Sequence, residues 1–286
     1  MKNKLILGTV QFGLAYGINN TLGKPSKQEV FNILLAAKDS GITMLDTADQ
    51  YGNSPALIGE FKRTHAKEFL INTKFKVNNT SIHSQLDSSL EVLGVSSVEV
   101  YFYHSFEEFI KYPAVKLELV KLKEASKLKK IGVSVYTNSE IEIATKTHEI
   151  DVIQIPFNLL DNKAQRGYWL SKAKENGKII QTRSAFLQGL FFKEIESFPT
   201  YLLPLQKYVI QLQSLASQSG LSMENICMSY VLGQPGIDQV IIGVDNSDQL
   251  KQNLTYSKHI LDDKIVKEID AIKVIETDLL YPINWK

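Results

Sequence analysis

Eight short runs rich in Ile, Val, Leu and aromatic residues recur along the 286-residue chain, each followed by a stretch of helix length. That alternation is the strongest constraint on what the chain can fold into. The runs fall at 5–9, 43–47, 69–75, 98–104, 130–135, 152–157, 178–184 and 239–244. Most are continuously apolar, the pattern of parallel strands covered on both faces. The intervening stretches carry helix punctuation. Ser26 with Glu29 has the form of a capping box, and Gly41 ends that helix. Asn138 or Ser139 is expected to cap the helix after the fifth run, and Gly177 to close the one after the sixth. Eight strand–helix units in this length point to an α/β fold, a (β/α)8 TIM barrel. An open doubly wound sheet is the rival, but no Gly-x-Gly-x-x-Gly follows any strand. No linker-like composition divides the chain, so residues 1–286 are expected to form one domain.

Two regions exceed the minimal pattern. Extra helices are expected after strands seven and eight, at about 201–218 and 222–232, then 246–257 and 262–275. The aromatic tail from Tyr281 to Lys286 has no helical period and is expected to fray or to form a flap over the barrel mouth.

Composition narrows the function classes. Lys+Arg number 32 against 31 Asp+Glu, a formal charge of +1, so no bulk field points to nucleic acid or anionic lipid. Apolar residues make up 44%, enough for a large core, yet no run reaches the roughly eighteen residues that a membrane span needs. The apolar run behind Met1 is too short for a signal peptide. The single cysteine, Cys227, rules out an internal disulfide and reads as a buried small hydrophobe in a helical run. The expectation is a soluble cytoplasmic protein with no nucleic-acid or membrane partner.

The residues at the strand ends carry the chemistry. The second strand ends at Asp46, with Tyr51 in the turn behind it; the third ends near Lys74 and the fourth at His104. If these strands are parallel neighbours, the four side chains converge at one rim, where barrels of this class place their active sites. A phenol has a reference pKa near 10 and holds its proton at neutral pH. A neighbouring ammonium favours the phenolate, and a carboxylate can hold that ammonium charged and in place. Lys74 and Asp46 can do this for Tyr51, and His104 can orient a carbonyl oxygen. Together they form a general acid for an oxygen that becomes an alkoxide.

The same residues carry a resemblance. Gly8-Thr9 at the first strand, Asp46-Thr-Ala-x-x-Tyr51-Gly after the second, Thr73-Lys74 and a strand-terminal His104 resemble the aldo-keto reductase superfamily. So do Lys130-Ile-Gly-Val-Ser134, Gln154-Ile-Pro-Phe-Asn158, Ser184-Ala-Phe-Leu-Gln-Gly-Leu190, Ile241-Ile-Gly-Val and Gln249-Leu-x-x-Asn253. The resemblance implies a barrel that binds a nicotinamide dinucleotide and passes hydride to the carbonyl carbon of a small molecule without a metal. It implies Tyr51 as proton donor, Lys74 and Asp46 as its tuning pair, and His104 as carbonyl orienter. It also implies Gly8 and Thr9 at the cofactor, Ser134 and Gln154 on the carboxamide, and Ser184, Phe186 and Gly189 along the pyrophosphate. Gln249 and Asn253 would sit near the adenosine.

The chain departs from that pattern in places. Val135 stands where relatives commonly have Asn, removing one carboxamide contact. Arg183 stands where many place a stacking aromatic; a guanidinium can stack, but its charge disfavours the cationic oxidised cofactor. The family favours NADP(H). The segment Gly243-Val-Asp245-Asn offers no cation for a 2′-phosphate, and Asp245 suits a free ribose hydroxyl, which favours NAD(H). Lys251 is expected to face solvent. Phe12, Tyr16, Phe106, Glu107, Glu108 and Trp285 are candidates for the substrate pocket. A short tail and the Glu-Glu loop point to an open, polar mouth suited to a sugar-like aldehyde or ketone. Two further readings of the same residues are a Schiff-base aldolase or lyase with Lys74 as nucleophile, and a non-catalytic, cofactor-sensing regulatory subunit.

Overall fold

The computed structural model describes residues 4–285, so Met1, where the leader reading begins, and the terminal Lys286 lie outside the described residues. All eight expected strands form: β1 (Leu5–Gly8), β2 (Met44–Asp46), β3 (Leu70–Phe75), β4 (Val98–Tyr103), β5 (Leu128–Ser134), β6 (Val152–Pro156), β7 (Ile179–Arg183) and β8 (Gln239–Gly243). They pair in parallel, each with the next, and β8 returns to β1 through Leu5↔Val240 and Gly8↔Gly243. The sheet is a closed (β/α)8 TIM barrel.

The helices between β1 and β6 are α1 (Val10–Gly13), α2 (Lys27–Asp39), α3 (Ser54–His65), α4 (Ile82–Leu93), α5 (Phe106–Lys111), α6 (Pro113–Glu124) and α7 (Asn138–Lys146). Beyond β6 come α8 (Lys163–Glu175), α9 (Leu203–Ser219), α10 (Met223–Leu232), α11 (Ser247–Tyr256) and α12 (Asp263–Asp270). The extra helices after β7 and β8 are therefore present, with Gly220 splitting α9 from α10 at φ 68°. Three short 3-10 turns between Leu187 and Leu202 precede them, which the sequence pattern did not announce.

Helix ends correct the sequence in particular ways. Ser26 caps α2 by accepting from the Glu29 amide, but the Glu29 carboxylate does not return to complete the box. It takes the Ser247 amide at 2.6 Å and so ties α2 to the start of α11. Thr137, not Asn138 or Ser139, caps α7 and forms a full capping box with Glu140. The last helix stops at Asp270, short of 275, because the buried Asn162 amide donates to the Ile269 and Ile272 carbonyls. The tail is docked, not frayed: Tyr281 packs on Tyr136 at 5.3 Å, and the Trp285 indole donates to Leu279 O at 2.8 Å.

The barrel interior mixes apolar clusters, such as Ile6, Met44 and Ile241, with a chain of amides. Asn72 and Gln154 donate to Gln181, Gln181 donates to Gln239, and Gln154 also donates to Asp46 at 2.9 Å. This polar layer lies directly beneath the rim and fixes the Asp46 carboxylate from below. Cys227 is fully buried in α10, as expected. No described helix is long and apolar enough to cross a membrane, and no described cluster of acids, His and Cys could hold a metal ion.

Candidate active site

Strand register brings the four expected residues together. Asp46 of β2 pairs with Asn72 of β3, and Lys74 lies two residues further along the same face. Its ammonium pairs with Asp46 and donates to Thr47 O at 3.1 Å and to the Tyr51 hydroxyl at 3.4 Å. His104 follows β4, its amide bonded to Phe75 O at 3.0 Å, and its ring meets Tyr51 edge-on at 5.9 Å. Burial pulls the Lys74 ammonium toward losing its proton, but Asp46 and then Tyr51 outweigh it, so the group stays above its ordinary range. Burial, then Lys74, Lys76 and Arg183, push His104 down to about 3. Its imidazole is neutral, with Nδ1 buried and without a partner.

A neutral His104 has a measurable consequence. The folded protein keeps it uncharged down to about pH 3, whereas the unfolded chain protonates it below about 6.5. The unfolded state thus binds the extra proton in that window, and stability falls as pH drops from about 6.5 toward 3. A His104→Gln variant is expected to lose this component, so its urea midpoint should move less between pH 7 and pH 5 than that of the parent. Equal pH sensitivity in the two proteins would contradict the assignment.

The turn carrying Tyr51 leans on a glycine that the sequence did not single out. A Cβ on Gly13 would sit 1.7 Å from Tyr51 O, and one on Gly52, at φ 54°, would sit 2.6 Å from Gly13 O. Two bare backbones therefore pack face to face, and any side chain at Gly13 must displace the Tyr51 backbone.

Tyr51 and Asp46 open into a cavity of about 400 Å3. Gly8, Thr9, Gln154 and Arg183 line it near Tyr51, and Ser184, Phe186 and Gly189 line it along the loop after β7. Gly243, Asp245, Gln249 and Asn253 line the end near β8 and α11. Lys74 and His104 lie behind Tyr51 and do not line it, nor does Ser134. The Ser134 hydroxyl is buried without a partner beside Gln154, its register partner on β6. Arg183 reaches from β7 toward β5: its guanidinium lies over Tyr136 at 4.3 Å, and Nη2 donates to Val135 O at 3.3 Å. Asp245 is held by Asn20 at 3.2 Å and Gln249 at 3.5 Å, and burial raises its carboxyl above the usual range. Lys251 pairs with Asp248 on the exposed face, as expected.

The substrate-pocket candidates fare differently. Tyr16 lines the cavity, whereas Phe12 is fully buried core. Phe106, Glu107 and Glu108 open α5 instead of forming a loop, and Glu108 holds the Val77 amide at 3.0 Å. None of the three lines the cavity, nor does Trp285, which packs against the core. The sequence also missed a clasp over the cavity. Asn19 donates to Gly189 O at 2.6 Å, Ile18 to Gln188 O at 3.2 Å, and Gln188 to the Tyr16 hydroxyl at 3.1 Å. Ser184, Leu187 and Gln188 adopt positive φ on one side of it, a conformation that costs non-glycine residues energy and clusters at ligand sites. The Gly- and Asn-rich run Gly17-Ile-Asn-Asn20 was the available signal.

Comparison with known proteins agrees with the fold. The model of the aldo/keto reductase family matches residues 4–274. Aldo-keto reductase yakc of Schizosaccharomyces pombe is 25% identical over 88% of this chain and 85% of its own. Aldo-keto reductase YhdN of Bacillus subtilis is 23% identical over 94% and 90%. The solved holo form of aldo-keto reductase AKR11C1 from Bacillus halodurans shares the fold, with a TM-score of 0.75 at 19% identity, covering 94% of this chain and 92% of that one. The chain belongs to the aldo/keto reductase family and is an NAD(P)-dependent oxidoreductase.

Proposed function

We propose that this protein reduces the carbonyl of a small aldehyde or ketone to an alcohol, with Tyr51 as proton donor. The observation that carries the proposal is the buried Asp46–Lys74 pair holding its ammonium against the Tyr51 hydroxyl at the floor of the cavity. When bound, the nicotinamide supplies hydride to the carbonyl carbon. Tyr51 gives its proton to the oxygen, and Lys74 at 3.4 Å stabilises the negative charge left on the phenol oxygen. Neutral His104 does not line the cavity; it lies behind Tyr51 with its ring edge-on to the phenol at 5.9 Å, so its part is to position the proton donor.

The residues fit the cofactor. Gln154 lines the cavity with its amide nitrogen already given to Asp46 and Gln181, so its side-chain carbonyl is what suits a carboxamide. The Ser134 hydroxyl is buried beside it, outside the lining. The bare backbone of Gly189 and the strained Ser184–Gln188 turn suit a pyrophosphate. The Schiff-base alternative fares poorly on the same geometry. A lysine nucleophile needs a free amine with access to substrate, and Lys74 is buried, ion-paired and held above its ordinary pKa. A regulatory, cofactor-sensing role would leave the proton-donating group without a task.

Two observations bear on cofactor form. The Schizosaccharomyces pombe relative carries NADP(+) in its name, which favours NADP(H). Among the described residues, the cavity end near β8 holds Asp245 and no Lys or Arg, which favours the free ribose hydroxyl of NAD(H). Titration with NADPH and with NADH, read by energy transfer from tryptophan, separates the two. The Arg183 charge predicts that the reduced form of whichever is preferred binds more tightly than its oxidised form. Failure of all four forms to bind would remove the reductase proposal.

A further inference from the structure

Arg183 is the only Lys or Arg among the described residues lining the cavity, and it forms no ion pair there. Three of the acids in or beside the cavity are already committed, and the fourth, Glu224, lines it from α10. Asp46 belongs to Lys74, Asp161 is taken through two oxygens by Arg166, and Asp245 is held by Asn20 and Gln249. Glu224 opens α10, which packs against α11 on the β8 side of the cavity. The guanidinium spends one donor on Val135 O and lies over the Tyr136 ring at 4.3 Å, two contacts that hold it in place. It is close enough to act electrostatically on both Tyr16 and His104, and Lys76 adds a second positive charge at His104. Arg183 also acts electrostatically on Asp161, but that carboxylate is bonded to Arg166, so the guanidinium on the cavity wall stays without an ion pair. Such a fork matches a planar carboxylate, which takes two parallel N–H bonds. A phosphate dianion would call for further cations that the lining does not hold.

We propose that Arg183 is a specificity residue, and that the carbonyl substrates this site selects carry a carboxylate, as oxo acids and aldehyde acids do. The proposal rests on the carbonyl-reduction reading for its reaction and on the Arg183 surroundings for its substrate. The anion has another source, the cofactor's own phosphates, which the test must separate.

Reduction of 4-formylbenzoate against benzaldehyde, and of succinate semialdehyde against butanal, is measured for the parent, Arg183→Gln and Arg183→Lys. The parent should favour the acid of each pair by about ten- to a hundredfold in kcat/KM, chiefly through KM. Arg183→Gln should bring the ratio to about one, and Arg183→Lys should keep part of it. Because the readout is a ratio, a general loss of rate cancels. An acid-to-neutral ratio unchanged by Arg183→Gln overturns the proposal. So does a parallel fall for acid, neutral and NADPH affinity, which assigns Arg183 to the cofactor's phosphate. Calorimetric binding of benzoate against benzamide needs no turnover: benzoate binding lost in Arg183→Gln supports the carboxylate subsite even if no carbonyl is reduced. In that event only the reduction reading falls.

Discussion

Tyr51→Phe is expected to lower turnover by about 10²- to 10⁴-fold, the range for removing a positioned proton donor. The substitution deletes one oxygen and little else. The ring that remains keeps its edge contact with His104 and its place under the Lys74 ammonium, which lies 5.1 Å from the ring centroid. The backbone turn, set by Gly13 and Gly52, is untouched. Lys74 keeps Asp46 and Thr47 O, so no buried charge loses its partner. Thermal stability and dinucleotide affinity should therefore stay close to those of the parent while kcat collapses. Steady-state rates beside the cofactor titration check this. A variant within a few-fold of the parent rate would place the proton source elsewhere in the cavity, with Tyr16, which lines it, the next candidate.

Much of this arrangement was legible in the sequence, for physical reasons. Parallel strands covered on both faces must be continuously apolar, so all eight stood out, with ends displaced by only a residue or two. Asp46, Lys74 and His104 were legible because strand ends in a barrel share one rim, and register alone then decides their neighbours. What escaped depends on segments far apart in the chain. Gly13 supports Tyr51 only because two loops pack backbone to backbone. The clasp of Asn19 and Gln188 exists only where the loops after β1 and β7 meet. Asn138 or Ser139 was expected as the cap and Thr137 is the one that caps, a choice beyond local pattern since all three side chains can cap. Tertiary contacts decided it: Arg166 draws the Asn138 side chain away at 2.8 Å. Phe12 misled because an aromatic just after a strand end reads the same whether it faces the core, as it does from α1, or the substrate.

The same Arg166 carries the largest expected effect on stability. Arg166 is 2% exposed and Asp161 is fully buried. They meet through Nε–Oδ1 at 2.6 Å and Nη2–Oδ2 at 2.8 Å. Arg166 further donates to Tyr136 O at 2.6 Å and to the Tyr281 hydroxyl at 3.2 Å, joining the β5 loop, α8 and the tail at one point. Removing either partner leaves the other charge buried alone, which costs about 3–5 kcal/mol. Arg166→Met and Asp161→Leu should each lower the melting temperature by roughly ten degrees, at about 2–4 °C per kcal/mol for a chain near this size. The double variant should lose less than the two singles combined, because no charge is left stranded. Denaturant unfolding of all four proteins closes the cycle, and strictly additive losses would mean that the pair is not coupled. The network also bears on the site. Tyr136, whose carbonyl Arg166 holds, is the surface on which Arg183 rests. Arg166→Met should therefore loosen the Arg183 guanidinium and reduce the preference for carboxylate-bearing carbonyls, whereas Tyr51, held by Lys74, Gly13 and Gly52, stays in place. A variant that melts lower yet keeps the full acid preference would show that stacking on Tyr136 is not what positions Arg183.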